Sequence, residues 1–172
     1  MTCGTEWNQV EPNISDGHRR CPIASQYRSI INLFIGDFMN IWYGTNENAW
    51  LSNLAERRFK DGAGREYVSV EHAYQTWKGG DFDEYIYSKP WEPGSKFIGR
   101  FTKKADNWNI QLMESLILAS FKQNFGLWKA LCLTDGDFTH TQDRGIWKRE
   151  FPRILEDVRR KGFDAERDDY PV

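Results

Sequence analysis

Apolar positions first crowd together over residues 29–43, where Ile30, Ile31, Leu33, Phe34, Ile35, Phe38, Ile41 and Trp42 come thickly. Their β-branched and aromatic character around Gly36-Asp37 predicts short strands. Further along, Arg57-Arg58-Phe59-Lys60 and Arg65-Glu66-Tyr67-Val68 flank Asp61-Gly62-Ala63-Gly64, the pattern of a hairpin with short arms. Ser69 is an N-cap residue type and Gly79-Gly80 a stop, so a helix is predicted over 70–78. At 3.6 residues per turn this helix sets Val70, Ala73, Tyr74 and Trp77 on one face and Glu71, Gln75 and Lys78 on another. One face is expected to pack and the other to carry chemistry.

A longer helix is predicted from about Asp106, with Trp108, Leu112, Met113, Leu116, Ile117 and Phe121 inward and a break at Gly126. Residues 127–133 read as a short apolar helix ended by Asp135-Gly136-Asp137. A last helix is expected to begin at Pro152, bury Ile154, Leu155 and Val158, and stop at Gly162, leaving a frayed tail. The opening residues to about 26 have no period and are punctuated by Pro12, Gly17 and Pro22, so they read as an extension.

Composition narrows the classes. A length of 172 residues fits one domain, and 40% hydrophobic with 28% charged residues is ordinary for a soluble globule. Lys and Arg number 23 against 25 Asp and Glu, a net charge of −2, so no bulk positive field holds nucleic acid or anionic lipid. Contact with phosphate must then be local. No apolar run approaches the ~18–20 residues that span a bilayer, which excludes membrane insertion. Eight Trp, seven Tyr and eleven Phe supply rings for a core or for stacking on a ligand. Cys3, Cys21 and Cys132 are odd in number and far apart, which predicts free thiols. The start of the chain lacks the pattern of a secretory signal, so the expected address is cytoplasmic.

The chain has no GxGxxG, GxxxxGK[ST], CxxC or HExxH pattern, and His18, His72 and His140 stand apart. Neither a metal nor a cofactor is expected. Glu71 falls in the first turn of the predicted 70–78 helix, where the macrodipole favours an anion and burial opposes one. A carboxylate there can steady a developing oxocarbenium or take a proton from water. On position alone the plainer role is helix stabilisation. Lys78, taken alone, reads as a solvated cation at the helix end. Lys96, Arg100, Lys103 and Lys104 recur at near-helical spacing, either as a phosphate-binding set or as a solvated face. Trp147 sits in a polar loop, residues 142–148, where an indole either covers the core or stacks on a ring.

These pieces resemble a known family. Tyr43, then Leu51-Ser52-Asn53, then Tyr67-Val68-Ser69-Val70-Glu71-His72-Ala73-Tyr74-Gln75 with Lys78, match the pattern of the YbiA-like, or NADAR, superfamily of N-glycosidases. Trp108, Met113, Lys122-Gln123-Asn124, Leu131, Thr134 and the stretch from His140-Thr141 to Trp147 continue the likeness, which runs from about residue 40 to 159. Many members carry a glycine after the tryptophan and a glycine-containing stretch before the last helix. This chain instead has Lys148-Arg149-Glu150-Phe151-Pro152.

Pattern and resemblance together predict a single α+β domain, helix-dominated with a small strand region, over residues 36–162. An N-terminal extension of 1–35 and a C-terminal tail of 163–172 flank it. The resemblance implies cleavage of an N-glycosidic bond between a phosphorylated ribose, either ADP-ribose or ribose phosphate, and a base or exocyclic amine. De-ADP-ribosylation of guanine is an example, with ADP-ribosylated nucleic acid as one form of the substrate. It implies Glu71 as the catalytic carboxylate, Asn53 as the amide that binds ribose hydroxyls or aligns Glu71, and Trp147 as the ring over the base. Tyr43, Gln75 and Asp143 complete the expected substrate contacts, and Lys96, Arg100 and Lys104 the phosphate contacts.

Two routes stay open. In one, Glu71 stabilises an oxocarbenium and orders water. In the other, Lys78 captures the opened sugar as a Schiff base. The rival function is a non-catalytic module that binds NAD or ADP-ribose, as a sensor or sponge. A third reading places Arg57, Arg58 and Lys60 on DNA together with the 96–104 set.

Overall fold

The computed structural model describes residues 38–45, 47–92 and 106–168. In chain order these form β1 (Phe38–Asn40), β2 (Phe59–Lys60), β3 (Glu66–Tyr67), α1 (Val70–Trp77), α2 (Glu84–Tyr87), α3 (Asp106–Gln123), α4 (Phe125–Leu133), β4 (Asp137–Thr139) and α5 (Trp147–Asp168). The architecture is α+β and helix-dominated, as the sequence predicts. The extension 1–35, the residues Ile30 to Ile35, and the basic set Lys96, Arg100, Lys103 and Lys104 lie outside the described residues.

The hairpin is where the pattern places it. β2 and β3 pair antiparallel, Phe59 opposite Tyr67 and Lys60 opposite Glu66. Asp61 closes the turn by accepting from the backbone N–H of Ala63 and Arg65 and pairing with the Arg65 guanidinium at 2.8 Å. Ser69 then caps α1, its hydroxyl accepting from the His72 N–H at 3.1 Å. The helix ends where glycine can follow, with Gly80 at φ +97° and its N–H on the Trp77 carbonyl.

Four features differ from the sequence reading. Every residue of α1 from Val70 to Thr76 is buried, so the helix has no solvated polar face. Asn124, not Gly126, separates α3 from α4, and its side-chain amide donates to the carbonyls of Arg58 and Ser120, tying the break to the hairpin. β4 pairs in parallel with β1 across most of the chain, Phe38 opposite Asp137 and Asn40 opposite Thr139. A three-residue strand leaves no periodic signal. α5 starts at Trp147 and runs through Gly162 to Asp168, so Pro152 lies inside it rather than at its start. Gly162 continues the helix because α5 packs tightly on α4 there: a Cβ at Gly162 would collide with Cys132 Sγ and approach Trp128 Nε1 to 2.6 Å.

α3 lies across the middle, against α1, α4, α5 and β2, and carries Met113, Ile117 and Phe121 into one buried cluster. α5 adds Ile154, Leu155 and Val158 to it, the three positions the sequence assigns. Arg57 joins this interior at 2% exposure. Its Nε donates to Ser120 Oγ at 2.9 Å, its Nη1 donates to the Trp50 carbonyl at 2.9 Å, and its guanidinium lies 4.1 Å from the Phe121 ring centre. Burial pushes its pKa down to about 9. The DNA reading fails at this residue, since Arg57 reaches no surface, and Arg58 is held by Glu56 and Glu66.

Candidate functional site

The centre of interest is the junction between the Ser52-Asn53 turn and the first turn of α1. Ser52 Oγ accepts from the Leu54 N–H, which folds the chain back so that Asn53 meets α1. The Glu71 N–H, one of the helix-terminal donors without an intrahelical acceptor, donates to the Asn53 carbonyl at 2.9 Å. In return Asn53 Nδ2 donates to Glu71 Oε2 at 2.6 Å. One turn along the helix, Gln75 Nε2 donates to Glu71 Oε1 at 2.8 Å. Each carboxylate oxygen thus receives an amide N–H, and the group is 3% exposed, with Gln75 at 6%. Two amide donors, one on each oxygen, fix this acidic group in orientation inside the protein.

The remaining predicted residues are distributed around this clamp. Lys78 is half-buried at the C-cap of α1, its N–H on the Tyr74 carbonyl. Tyr43 opens a 3-10 turn, Tyr43–Thr45, and is half-buried. Trp147 is not in a loop: it begins α5, packs on the core, and meets Tyr74 of α1 edge-on with ring centres 5.8 Å apart. Tyr74 in turn donates from its hydroxyl to Asn109 Oδ1 of α3 at 3.0 Å. Trp147 therefore joins α5 to the helix that bears Glu71. Asp143 caps its own loop, accepting from the Arg144 N–H, while its N–H donates to His140 Nδ1 at 3.1 Å. Lys96, Arg100 and Lys104 lie outside the described residues.

The opposite side of α1 is structural, and the sequence reading did not single it out. His72 stacks on Tyr87, its ring tilted 15° from the tyrosine's, and donates from Nε2 to the Tyr87 carbonyl at 3.1 Å. Burial holds its pKa below the usual histidine value. Tyr67 accepts from Trp77 Nε1 at 2.9 Å and donates to Asp61 Oδ2 at 3.0 Å, and Arg65 lies over the Phe82 ring. These contacts bolt α1 to the hairpin and to α2. The signal that could have revealed this side was Asp83, an N-cap residue type that starts α2 by accepting from the Ile86 N–H.

A concavity of about 480 Å³ lies elsewhere, between β4 and the first turns of α5, lined by Phe138, Thr139, His140, Thr141, Lys148, Arg149 and Pro152. Among the described residues no group of three or more His, Cys, Asp or Glu side chains is placed to hold a metal ion, and no helix is long and apolar enough to cross a membrane. Cys132 is a buried thiol outside any disulfide, its Sγ donating to the Arg159 carbonyl at 3.5 Å. Cys3, His18 and Cys21 lie outside the described residues.

Hairpin, amide-clamped helix and the α3–α5 core together define a YbiA-like α+β fold. The particular likeness is to the NMR structure of the E. coli protein YbiA, with a TM-score of 0.61 at 20% identity, covering 83% of this chain and 94% of that one. No family model and no curated protein matches the sequence.

Proposed function

We propose that the chain is an N-glycosidase that hydrolyses the bond between C1′ of a phosphorylated ribose and a base or exocyclic amine. The observation that carries this reading is the clamped Glu71, a buried carboxylate with one amide donor on each oxygen. It sits at the position that the sequence resemblance assigns to catalysis. Such a group is oriented before substrate arrives, which is what stabilisation of a developing positive charge at C1′ requires. In the hydrolytic route water adds to C1′, the C1′–N bond breaks, and the nitrogen leaves with a proton. Glu71 steadies the cation and takes the proton from water, the departing nitrogen takes a proton from solvent, and Glu71 returns its own to solvent at the end of the cycle.

Lys78 follows Glu71 by seven residues, nearly two turns, so its Cα lies about 10 Å further along the same side of α1. A glutamate and a lysine so spaced can flank one sugar ring. In the amine-linked case Lys78 Nζ adds to C1′ of the opened sugar, expels the amine, and water later releases the sugar from the imine. Asn53 and Gln75 serve as the amides that align Glu71 and reach the ribose hydroxyls. In this reading Tyr43, Asp143 and Trp147 contact the base, and the phosphate contacts fall to Lys96, Arg100 and Lys104, as the sequence suggests.

Mass spectrometry of products after incubation with an amine-linked ribose phosphate, and with DNA carrying ADP-ribosylated guanine, tests this. Free base or amine plus a ribose phosphate is the expected result, absent with Glu71→Gln. Intact ligand recovered in stoichiometric amount means a binding module for NAD or ADP-ribose instead. Borohydride added during turnover separates the routes: an adduct on Lys78 marks the imine, and normal turnover by Lys78→Ala excludes it.

A further inference from the structure

We infer that the concavity between β4 and α5 is a second ligand site, one that takes a phosphate ester. Its rim is cationic. Lys148 is exposed, and its Nζ has no carboxylate within ion-pair distance among the described residues. Arg149 engages Glu150 through Nε at 2.9 Å, which leaves its two terminal nitrogens facing no partner among the described residues. Glu150 itself is shared with Arg153 at 2.8 Å, so the local balance around the rim favours cations. Thr141 adds a hydroxyl donor, because its Oγ1 accepts from Asn40 Nδ2 at 2.8 Å and its own proton is left to point elsewhere. His140 accepts the Asp143 N–H at Nδ1, which fixes the neutral ring's proton on Nε2.

The floor differs from the rim. Phe138 and Pro152 are apolar, and about 480 Å³ is within the range that holds a small organic ligand rather than a bare ion. Cations above and apolar surface below suit a phosphoryl group with its sugar or base attached, the phosphate on Lys148 and Arg149 and the organic part on Phe138 and Pro152. Trp147, the neighbour of Lys148, touches Tyr74 of α1, which places the concavity on the element that abuts the Glu71 helix.

The phosphate ester has two sources, a free nucleotide sugar or a nucleic-acid strand, and amide NMR of the ¹⁵N-labelled full chain distinguishes them. Sodium phosphate, ADP-ribose and a short single-stranded DNA are titrated at constant ionic strength against a sodium chloride control. Saturable shifts at Thr141, Lys148 and Arg149 are expected, with ADP-ribose tighter than inorganic phosphate. Lys148→Ala should weaken binding roughly tenfold, the loss of one charge-assisted contact. Lys161→Ala, which removes the same charge further along α5, should leave it unchanged. Tighter binding of ADP-ribose than of DNA assigns the site to a nucleotide sugar, and the reverse order assigns it to a strand. Drift that matches chloride, or equal weakening by Lys148→Ala and Lys161→Ala, overturns the inference. Because the readout is binding at Lys148 and not turnover, the outcome does not depend on the glycosidase reading.

Discussion

Asn53 and Glu71 hold each other twice, the Glu71 N–H on the Asn53 carbonyl at 2.9 Å and the Asn53 amide on Glu71 Oε2 at 2.6 Å. The carboxylate is therefore positioned by a turn 18 residues earlier in the chain as much as by its own helix. Asn53→Ala keeps the backbone bond and deletes the side-chain one. Turnover of the proposed substrates should fall about 10- to 100-fold, with a loss of about 1–2 kcal/mol in stability. Steady-state kinetics and urea melts on the same preparation check both. Asn53→Asp sets a second carboxylate against the first, so the pair must retain a proton and the acid limb of the rate profile should move to higher pH.

Glu71→Gln tests the carboxylate itself. A glutamine at 71 offers one oxygen where two amide donors converge, so Asn53 or Gln75 must turn its amide over to present oxygen. Both side chains can do so without moving their backbones, and the fold should survive. Hydrolysis should drop at least ~100-fold if the group moves protons or steadies charge at C1′. A drop of only a few-fold in a folded variant returns Glu71 to a helix-stabilising role.

Two helix glycines should respond with opposite signs. Gly162 lies where α5 crosses α4, and a methyl there runs into Cys132 and Trp128, whose Nε1 donates to the Val158 carbonyl at 3.0 Å. Gly162→Ala should destabilise by about 1–3 kcal/mol, the usual range for overpacking. Gly126 sits in the first turn of α4 with open space around it, so Gly126→Ala should stabilise by up to about 1 kcal/mol. Thermal melts of the two variants beside the parent decide the matter.

What was legible in the sequence was whatever local chemistry dictates. Ser69 and Gly79-Gly80 bracket α1 because a hydroxyl cap and a left-handed glycine are local requirements. The apolar period of α3 and of residues 154–158 of α5 reflects the core they cover. The features that escaped are made by distant parts of the chain. β4 exists only because β1, about a hundred residues earlier, lies beside it. The polar face expected on α1 is buried because Asn53 supplies a partner for it. Trp147 reads as a loop residue until Tyr74 is placed against it. Glu71, Asn53 and Gln75 were named together only through the family resemblance, and their mutual bonds belong to the tertiary structure.

His72 contributes to the acid side of the stability profile. Burial holds its pKa below the ordinary value near 6.5, with the Tyr87 carbonyl acting in the opposite sense and to a smaller extent. Below about pH 6.5 the unfolded chain binds a proton that the folded chain refuses, so stability falls as pH drops through that value. His72→Gln can keep the donor to Tyr87 and has no proton to gain. Urea midpoints between pH 7.5 and 5 should decline less in this variant than in the parent, and equal slopes would refute the assignment.

Tyr67 contributes a falling limb on the alkaline side. Burial pushes its pKa from 10 up to about 12, and its hydroxyl donates to Asp61 while accepting from Trp77. Between pH 10 and 12 the unfolded chain has lost this proton and the folded chain has kept it, so the Tyr67 contribution to stability falls as pH rises across that window, against the opposite contribution of Arg57, whose folded pKa lies below its ordinary value. One proton corresponds to about 1.4 kcal/mol per pH unit at most. Ionisation within the fold would also place a phenolate against Asp61, which Arg65 only partly offsets at 2.8 Å. Tyr67→Phe should start lower in stability, since the Trp77 indole and the Asp61 carboxylate lose a partner, yet show a shallower decline above pH 10. Denaturant midpoints at pH 9, 10 and 11 for both proteins give the comparison, and parallel declines would mean that some other group carries the alkaline limb.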